Sequence, residues 1–193
     1  MSITMDKYDL MTALNMPFGA IMVFDTGFTR ANYARGGYDG TNWQIKSTAS
    51  LPVGYIELFG TRPLGYGTYQ AICDIDGTAQ ASCDLYFLGF EKWAGWGSSD
   101  IVCLKMKGTD CILYNANLGA TTETVLAGVD AFTEHTWQIV WSAGNIKVYY
   151  DTVEKANVST NVPSTDLCWF LEISNAVVLN AATTIKQRSF TIL

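Results

Sequence analysis

Charge is what this sequence has least of. Only 16% of its 193 residues are Asp, Glu, Lys or Arg, against about a quarter in an ordinary soluble domain. The 49% hydrophobic share excludes disorder, which needs high charge and few apolar residues. A coiled coil, dense in Glu, Lys, Leu and Ala, is excluded as well. Basic residues are outnumbered 12 to 18, for a net charge of −6. No basic face is offered to phosphates, so nucleic acid is not an expected partner. Histidine occurs once, at His135, and Cys73, Cys83, Cys103, Cys111 and Cys168 form no CxxC pair. No zinc set is expected from such a composition. Near the start the longest apolar run, Phe18 to Phe24, falls far short of the roughly 20 residues of a membrane span, so no membrane insertion is expected. The first 15 residues hold Asp6, Lys7 and Asp9 but no basic n-region. With no export signal in view, the expectation is a cytoplasmic or virion-associated protein with buried, reduced thiols. Cys73 and Cys83 are the pair placed to face each other across a hairpin.

Helical windows are scarce. What recurs is a short β-branched and aromatic run followed by Gly, Asn, Asp or Ser. Strands are predicted at Ala20–Asp25, Trp43–Ser47, Val53–Phe59, Gly67–Cys73, Asp84–Phe90, Asp100–Met106 and Cys111–Asn117. Further strands follow at Glu123–Leu126, Thr136–Trp141, Lys147–Asp151, Leu167–Ile173 and Thr184–Leu193. Turn chemistry separates them at Asp76-Gly77, Lys107-Gly108, Ala143-Gly144-Asn145 and Asn175. So many strands at this spacing predict an all-β sandwich. In His135–Trp141 the odd positions lie on one face, which assigns Trp137 and Trp141 to the core. Leu167–Ile173 is apolar on both faces, as expected of a central strand covered on both sides. No repeat or Pro-rich linker divides the chain, so residues 1–193 are expected to form a single β-sandwich domain, with 1–19 an N-terminal arm or first strand.

Three stretches, in order, resemble the concanavalin A-like lectin/glucanase superfamily and its laminarinase-type glycoside hydrolases. Val53 to Ile75 (VGYIELFGTRPLGYGTYQAICDI) is similar to the family's strand pair leading into a long hairpin. Cys83 to Gly119 places CDLYFLGF where the family has a "PAFWL"-like strand, followed by a Trp-bearing loop. His135 to Glu154 (HTWQIVWSAGNIKVYYDTVE) resembles the hairpin "fHtYxixWtpxxIxfYvDG" at His135, Thr136, Trp137, Ile139, Trp141, Ile146, Tyr149 and Asp151. The resemblance covers residue 43 to the end. It implies a concanavalin A-like jelly-roll β-sandwich of two antiparallel sheets, about 12–14 strands, whose last strand returns beside the N-terminal one.

Relatives of that type cleave glycosides with two carboxyl groups about 5–5.5 Å apart, carried on a Glu-x-Asp-x-Glu strand facing the groove. The matching strand here reads Asp100-x-Val102-x-Leu104, with acid chemistry absent from two of its three positions. The resemblance therefore implies a degenerate catalytic motif and no catalytic residue. Sugar recognition needs aromatic planes and a few amides or carboxylates. The glycan-binding candidates are Trp93 and Trp96 in a glycine-rich loop, Asp100 after it, Asn115 and Asn117 on the next strand, and Glu172, an acid inside an apolar strand. Asp74 and Asp76 read as turn formers, and Glu91 with Lys92 as a strand-end ion pair. No cofactor is expected. Many relatives hold a structural calcium ion, but no Asp-rich loop marks such a site here.

Three functions follow from different classes. The leading expectation is a non-catalytic, lectin-like recognition module that binds a carbohydrate or protein surface, displayed on a virion. The second is a purely structural decoration protein of a capsid or homo-oligomer. The third is an active glycoside hydrolase or polysaccharide lyase acting on β-glucan-like polymers, with Asp100 and Glu172 as the acids.

Overall fold

A computed structural model describes residues 21–26, 35–38, 41–47, 54–77, 83–92, 100–164, 166–175 and 182–193. Every regular element among them is a strand. In chain order these are β1 (Ile21–Thr26), β2 (Arg35–Tyr38), β3 (Trp43–Lys46), β4 (Gly54–Leu64), β5 (Gly67–Asp76), β6 (Cys83–Glu91) and β7 (Ile101–Lys107). They continue as β8 (Asp110–Asn117), β9 (Ala120–Val125), β10 (His135–Ser142), β11 (Asn145–Tyr150), β12 (Val153–Val158), β13 (Leu167–Asn175) and β14 (Thr184–Ile192). Two antiparallel sheets form. Sheet A runs β1-β4-β13-β6-β7-β8-β9 and sheet B runs β12-β11-β10-β5-β14-β3-β2.

Alternation decides which side chains fill the space between the sheets. Trp137, Ile139 and Trp141 of β10 point inward and are fully buried. From the opposite sheet, β13 contributes Trp169, Leu171 and Ile173 to the same core. Phe87 meets Trp137 edge-on at 5.0 Å, and Trp43 meets Trp169 at 6.1 Å. Each such indole removes on the order of 200 Å² from water, worth about 5 kcal/mol at 25 cal/mol per Å². As its two-sided apolar pattern predicts, β13 lies inside sheet A between β4 and β6. Its outer-face residue Phe170 is also fully buried, lying over Gly89 of β6, where a Cβ would stand 2.4 Å from the ring.

Several expectations are corrected. Strand β5 runs through Asp74-Ile75-Asp76, with Ile75 in the core and both acids within 3.5 Å of the Lys186 ammonium, so the turn begins only at Gly77. Cys73 and Cys83 cannot pair across a hairpin, because β5 and β6 belong to different sheets; all five cysteines are free thiols. Strand β14 pairs with β3 and β5, and β1 lies at the edge of the other sheet, while residues 1–19, expected as an N-terminal arm or first strand, lie outside the described residues. Two strands went unread. Strand β2 reads Arg-Gly-Gly-Tyr, and β12 is a polar edge strand, VEKANV, largely wet.

Candidate functional site

The face of sheet A turned away from the core carries the chemistry. On β7 the core takes Val102, Leu104 and Met106. Ile101, Cys103 and Lys105 therefore project from the other face. This corrects the expected register, in which Asp100, Val102 and Leu104 faced the groove. A one-residue slip in a strand exchanges its two faces. In the observed register β7 presents no carboxylate to that face.

Pairing aligns the open face in rows. Glu172, Tyr86, Lys105 and Ile112 lie side by side across β13, β6, β7 and β8, and next to them run Phe170, Gly89, Cys103, Tyr114 and Glu123. Ile101, Cys103, Ala116 and Phe170 pack as a small apolar cluster, with Tyr86, Tyr114 and Cys168 against it. Lys105 sits above this floor at 3% exposure. Its ammonium donates to Asp84 Oδ2 at 2.9 Å and to Glu123 Oε1 at 3.0 Å. It also lies 4.6 Å from the Tyr114 ring centroid and 5.6 Å from that of Tyr86. The Tyr86 hydroxyl donates to the same Asp84 oxygen at 3.3 Å. A buried cation needs this many partners, because desolvation alone would favour its neutral form. The two carboxylates prevail, and Lys105 is held above its ordinary pKa.

Glu172 behaves in the opposite sense. Burial, reinforced by the negative charge of Glu91, pushes its carboxyl up to about 8. At neutral pH it is a protonated acid, able to donate a hydrogen bond as well as accept one. Burial drives Tyr86 and Cys103 well above their usual values too, so neither ionises near neutrality.

Of the sequence candidates among the described residues, only Glu172 reaches this cluster. Asp100 is 1% exposed; its Oδ1 accepts the Leu118 N–H at 2.7 Å, and the Lys92 ammonium lies 3.9 Å from Oδ2. It ties the β8–β9 turn, where Leu118 and Gly119 have φ of +51° and +82°, to the start of β7. Asn115 lies on the inward side of β8 and donates to the carbonyls of Thr160 and Asn161, both at 2.8 Å. Asn117 does the same for Val162 at 3.0 Å. These three residues staple loops, so the reading of them as hydroxyl partners on the groove is corrected. Trp93 and Trp96 lie outside the described residues. The residues missed were Asp84, Tyr86, Lys105, Tyr114 and Glu123; Glu91, read as an ion-pair partner of Lys92, acts on Glu172 and Cys103, while Lys92 lies against Asp100. The parity of β7, anchored on the apolar trio Val102, Leu104 and Met106, was the available signal. Among the described residues, no three His, Cys, Asp or Glu side chains converge as a metal-binding group.

No family model matches the chain. It is similar to a curated beta-glucanase of Paenibacillus polymyxa, 31% identical over 113 residues, a match covering 56% of this chain and 48% of the relative. The chain thus spans about half the length of that protein. Among solved structures it superposes on a native glycosidic hydrolase with a TM-score of 0.70 at 13% identity, covering 90% of this chain and 89% of the other. A Bacillus licheniformis beta-glucanase gives 0.62 at 16% identity, covering 90% and 97% of the two chains. A carbohydrate-binding module of Bacillus subtilis gives 0.55 at 11%, covering 90% and 98%. The chain shares the two-sheet, concanavalin A-like β-sandwich fold of these structures.

Proposed function

We propose that the chain is a non-catalytic carbohydrate-recognition module that offers the open face of sheet A to a neutral glycan. The observation carrying this reading is Lys105. The strand that by resemblance should bear Glu-x-Asp-x-Glu presents Ile101, Cys103 and Lys105, with the ammonium clamped between Asp84 and Glu123. A locked cation can neither attack an anomeric carbon nor donate a proton as a carboxylic acid does. Around it, Tyr86 and Tyr114 supply ring surface, and Asp84, Glu123 and Glu172 supply hydrogen-bonding oxygens, the combination that sugar rings and hydroxyls need. Lys105 and Lys107 share this face with Asp84, Glu91 and Glu123, so it holds no excess of positive charge to draw anionic polymers. The likeness to a carbohydrate-binding module and to beta-glucanases supports the same class of ligand. Display on a virion, or in a homo-oligomer, belongs to the same proposal and is tested by sedimentation and cofractionation with particles.

A glycan array tests the reading. Binding to neutral β-glucans is expected, lost in Tyr114→Ala and absent for sulfated or uronate-containing glycans. An array with no bound glycan overturns it. One observation favours a second reading: a buried Glu172 held protonated near neutrality, partly by the charge of Glu91, has the acid character of one member of a glycosidase pair. Reducing-end release from laminarin that disappears in Glu172→Gln would establish hydrolysis and displace the first reading.

A further inference from the structure

The outer face of sheet B holds a depression of about 180 Å³, lined by Gln70, Thr136, Gln138, Tyr149 and Thr152. We propose that it is a second sugar-binding site, taking one neutral pyranose ring. It shares no residue with the open face of sheet A and does not rest on the function proposed there.

Three strands build it. Gln70 of β5 lies directly opposite Gln138 of β10, and Gln138 directly opposite Tyr149 of β11. The row is thus amide, amide, phenol, with Thr136 two residues along β10 and Thr152 in the β11–β12 turn. None of the lining side chains is charged. Neither glutamine side chain makes a hydrogen bond among the described residues, so both amides keep their donors and acceptors for a ligand. Tyr149 is fixed instead. Its hydroxyl donates to Glu154 Oε2 at 3.1 Å, and that oxygen also takes the Lys147 ammonium at 3.2 Å. The ring is therefore held in place from outside the depression. An oriented ring beside amides and hydroxyls that both donate and accept matches a sugar's apolar face and its hydroxyls. The volume is below the roughly 300–1,000 Å³ of a drug-sized pocket and suits a single ring.

The backbone supplies an independent sign. Asp151 and Thr152 form a two-residue hairpin turn with φ of +47° and +74°. Such turns favour glycine at the second position, and the similar family hairpin has Asp-Gly here. A β-branched residue at positive φ is strained. Strain of this kind clusters at active sites and ligand clamps. Here it keeps the Thr152 side chain at the rim of the depression.

Titration of the isotopically labelled chain with laminaritriose, cellotriose and xylotriose, followed by NMR, tests the site. The side-chain amide signals of Gln70 and Gln138 and the ring signals of Tyr149 are expected to shift and saturate with at least one of the three. Gln138→Ala and Tyr149→Ala each weaken that binding about tenfold, the effect of losing one or two ligand hydrogen bonds. Thr152→Gly separates function from folding, because it raises the melting temperature by about 2–4 °C while weakening binding; Thr152→Ser keeps the affinity. The site is overturned if these signals do not move, if their shift survives Gln138→Ala, or if Thr152→Gly binds like the parent. Shifts confined to Tyr86 and Tyr114 would overturn it while leaving the sheet A proposal standing. Shifts confined to Gln70, Gln138 and Tyr149 would support it and count against sheet A.

Discussion

Replacing Lys105 by alanine measures how the open face of sheet A is held together. The ammonium makes two ion pairs of 2.9 and 3.0 Å, and its side chain is 4% exposed, against 24% for Asp84 and 43% for Glu123. Breaking a fully buried pair costs about 3–5 kcal/mol, and losing an exposed one costs about 0–1 kcal/mol. Asp84 and Glu123 regain water when Lys105 goes, so the loss falls between these limits. The aliphatic stem also packs among Tyr86 and Tyr114, and that contact is lost with the charge. We expect about 2–3 kcal/mol, a drop in Tm of about 5–10 °C for a chain of this length. Urea unfolding followed by tryptophan fluorescence reads it. The triple variant Lys105→Ala, Asp84→Asn, Glu123→Gln should recover more than half of the loss, since no uncompensated charge remains. These residues share a network, so their effects will not add. A loss below about 1 kcal/mol, or no recovery in the triple variant, would refute the account of Lys105 as the electrostatic keystone of this face.

Other perturbations follow from the same geometry. Glu172 titrates near 8 when folded but at an ordinary 4.5 when unfolded, so between those values the unfolded chain ionises first and stability falls as pH rises. The slope is at most about 1.4 kcal/mol per pH unit; Glu172→Gln should flatten it in urea titrations across that range, and an unchanged slope would contradict the burial argument. Gly89→Ala drives a methyl to 2.4 Å from the Phe170 ring and should cost about 1–3 kcal/mol, recovered in part when Phe170→Leu is added. Asn115→Ala removes donors to two loop carbonyls. The expected cost is about 1–3 kcal/mol, with faster hydrogen exchange or proteolysis over residues 159–163 as the local sign.

The fold was legible because the period-2 signal is strong wherever one face of a strand meets the core. β10 and β13 were placed by parity and by two-sided apolarity, and their indoles lie where that reasoning puts them. Strand β12 escaped because its inward face offers only the small Ala156 and a partly buried Val158 among polar and charged residues, too little alternation to read. The site was less legible, for two physical reasons. Register on β7 turns on a single residue: Asp100 invites inclusion in the strand, yet its carboxylate caps the neighbouring turn, and the strand proper starts at Ile101. Asn115 and Asn117 share parity with Cys111 and Leu113 of the core, but their partners lie some 45 residues away. No local pattern announces a hydrogen bond to a distant loop.

The scarcity of charge gives the Lys105 cluster its meaning. In a chain with so few ionisable residues, Asp84, Glu91, Lys105 and Glu172 all act on one buried thiol, Cys103, and so converge on one face of one sheet. Stability does not call for that arrangement. A buried ionic network can usually be replaced by well-packed apolar side chains at no loss, and often with a gain. The floor beneath it, formed by Ile101, Cys103, Ala116 and Phe170, already shows that this sheet can bury an apolar outer face. The polar groups above that floor are therefore explained by what they present, a row of donors and acceptors between two tyrosine rings. The outer face of sheet B makes the complementary case, because its row of Gln70, Gln138 and Tyr149 carries hydrogen-bonding capacity with no charge at all. Two rows of unlike electrostatics on opposite faces of one sandwich, one ionic and one uncharged, point to two ligand contacts rather than to one surface kept wet for solubility.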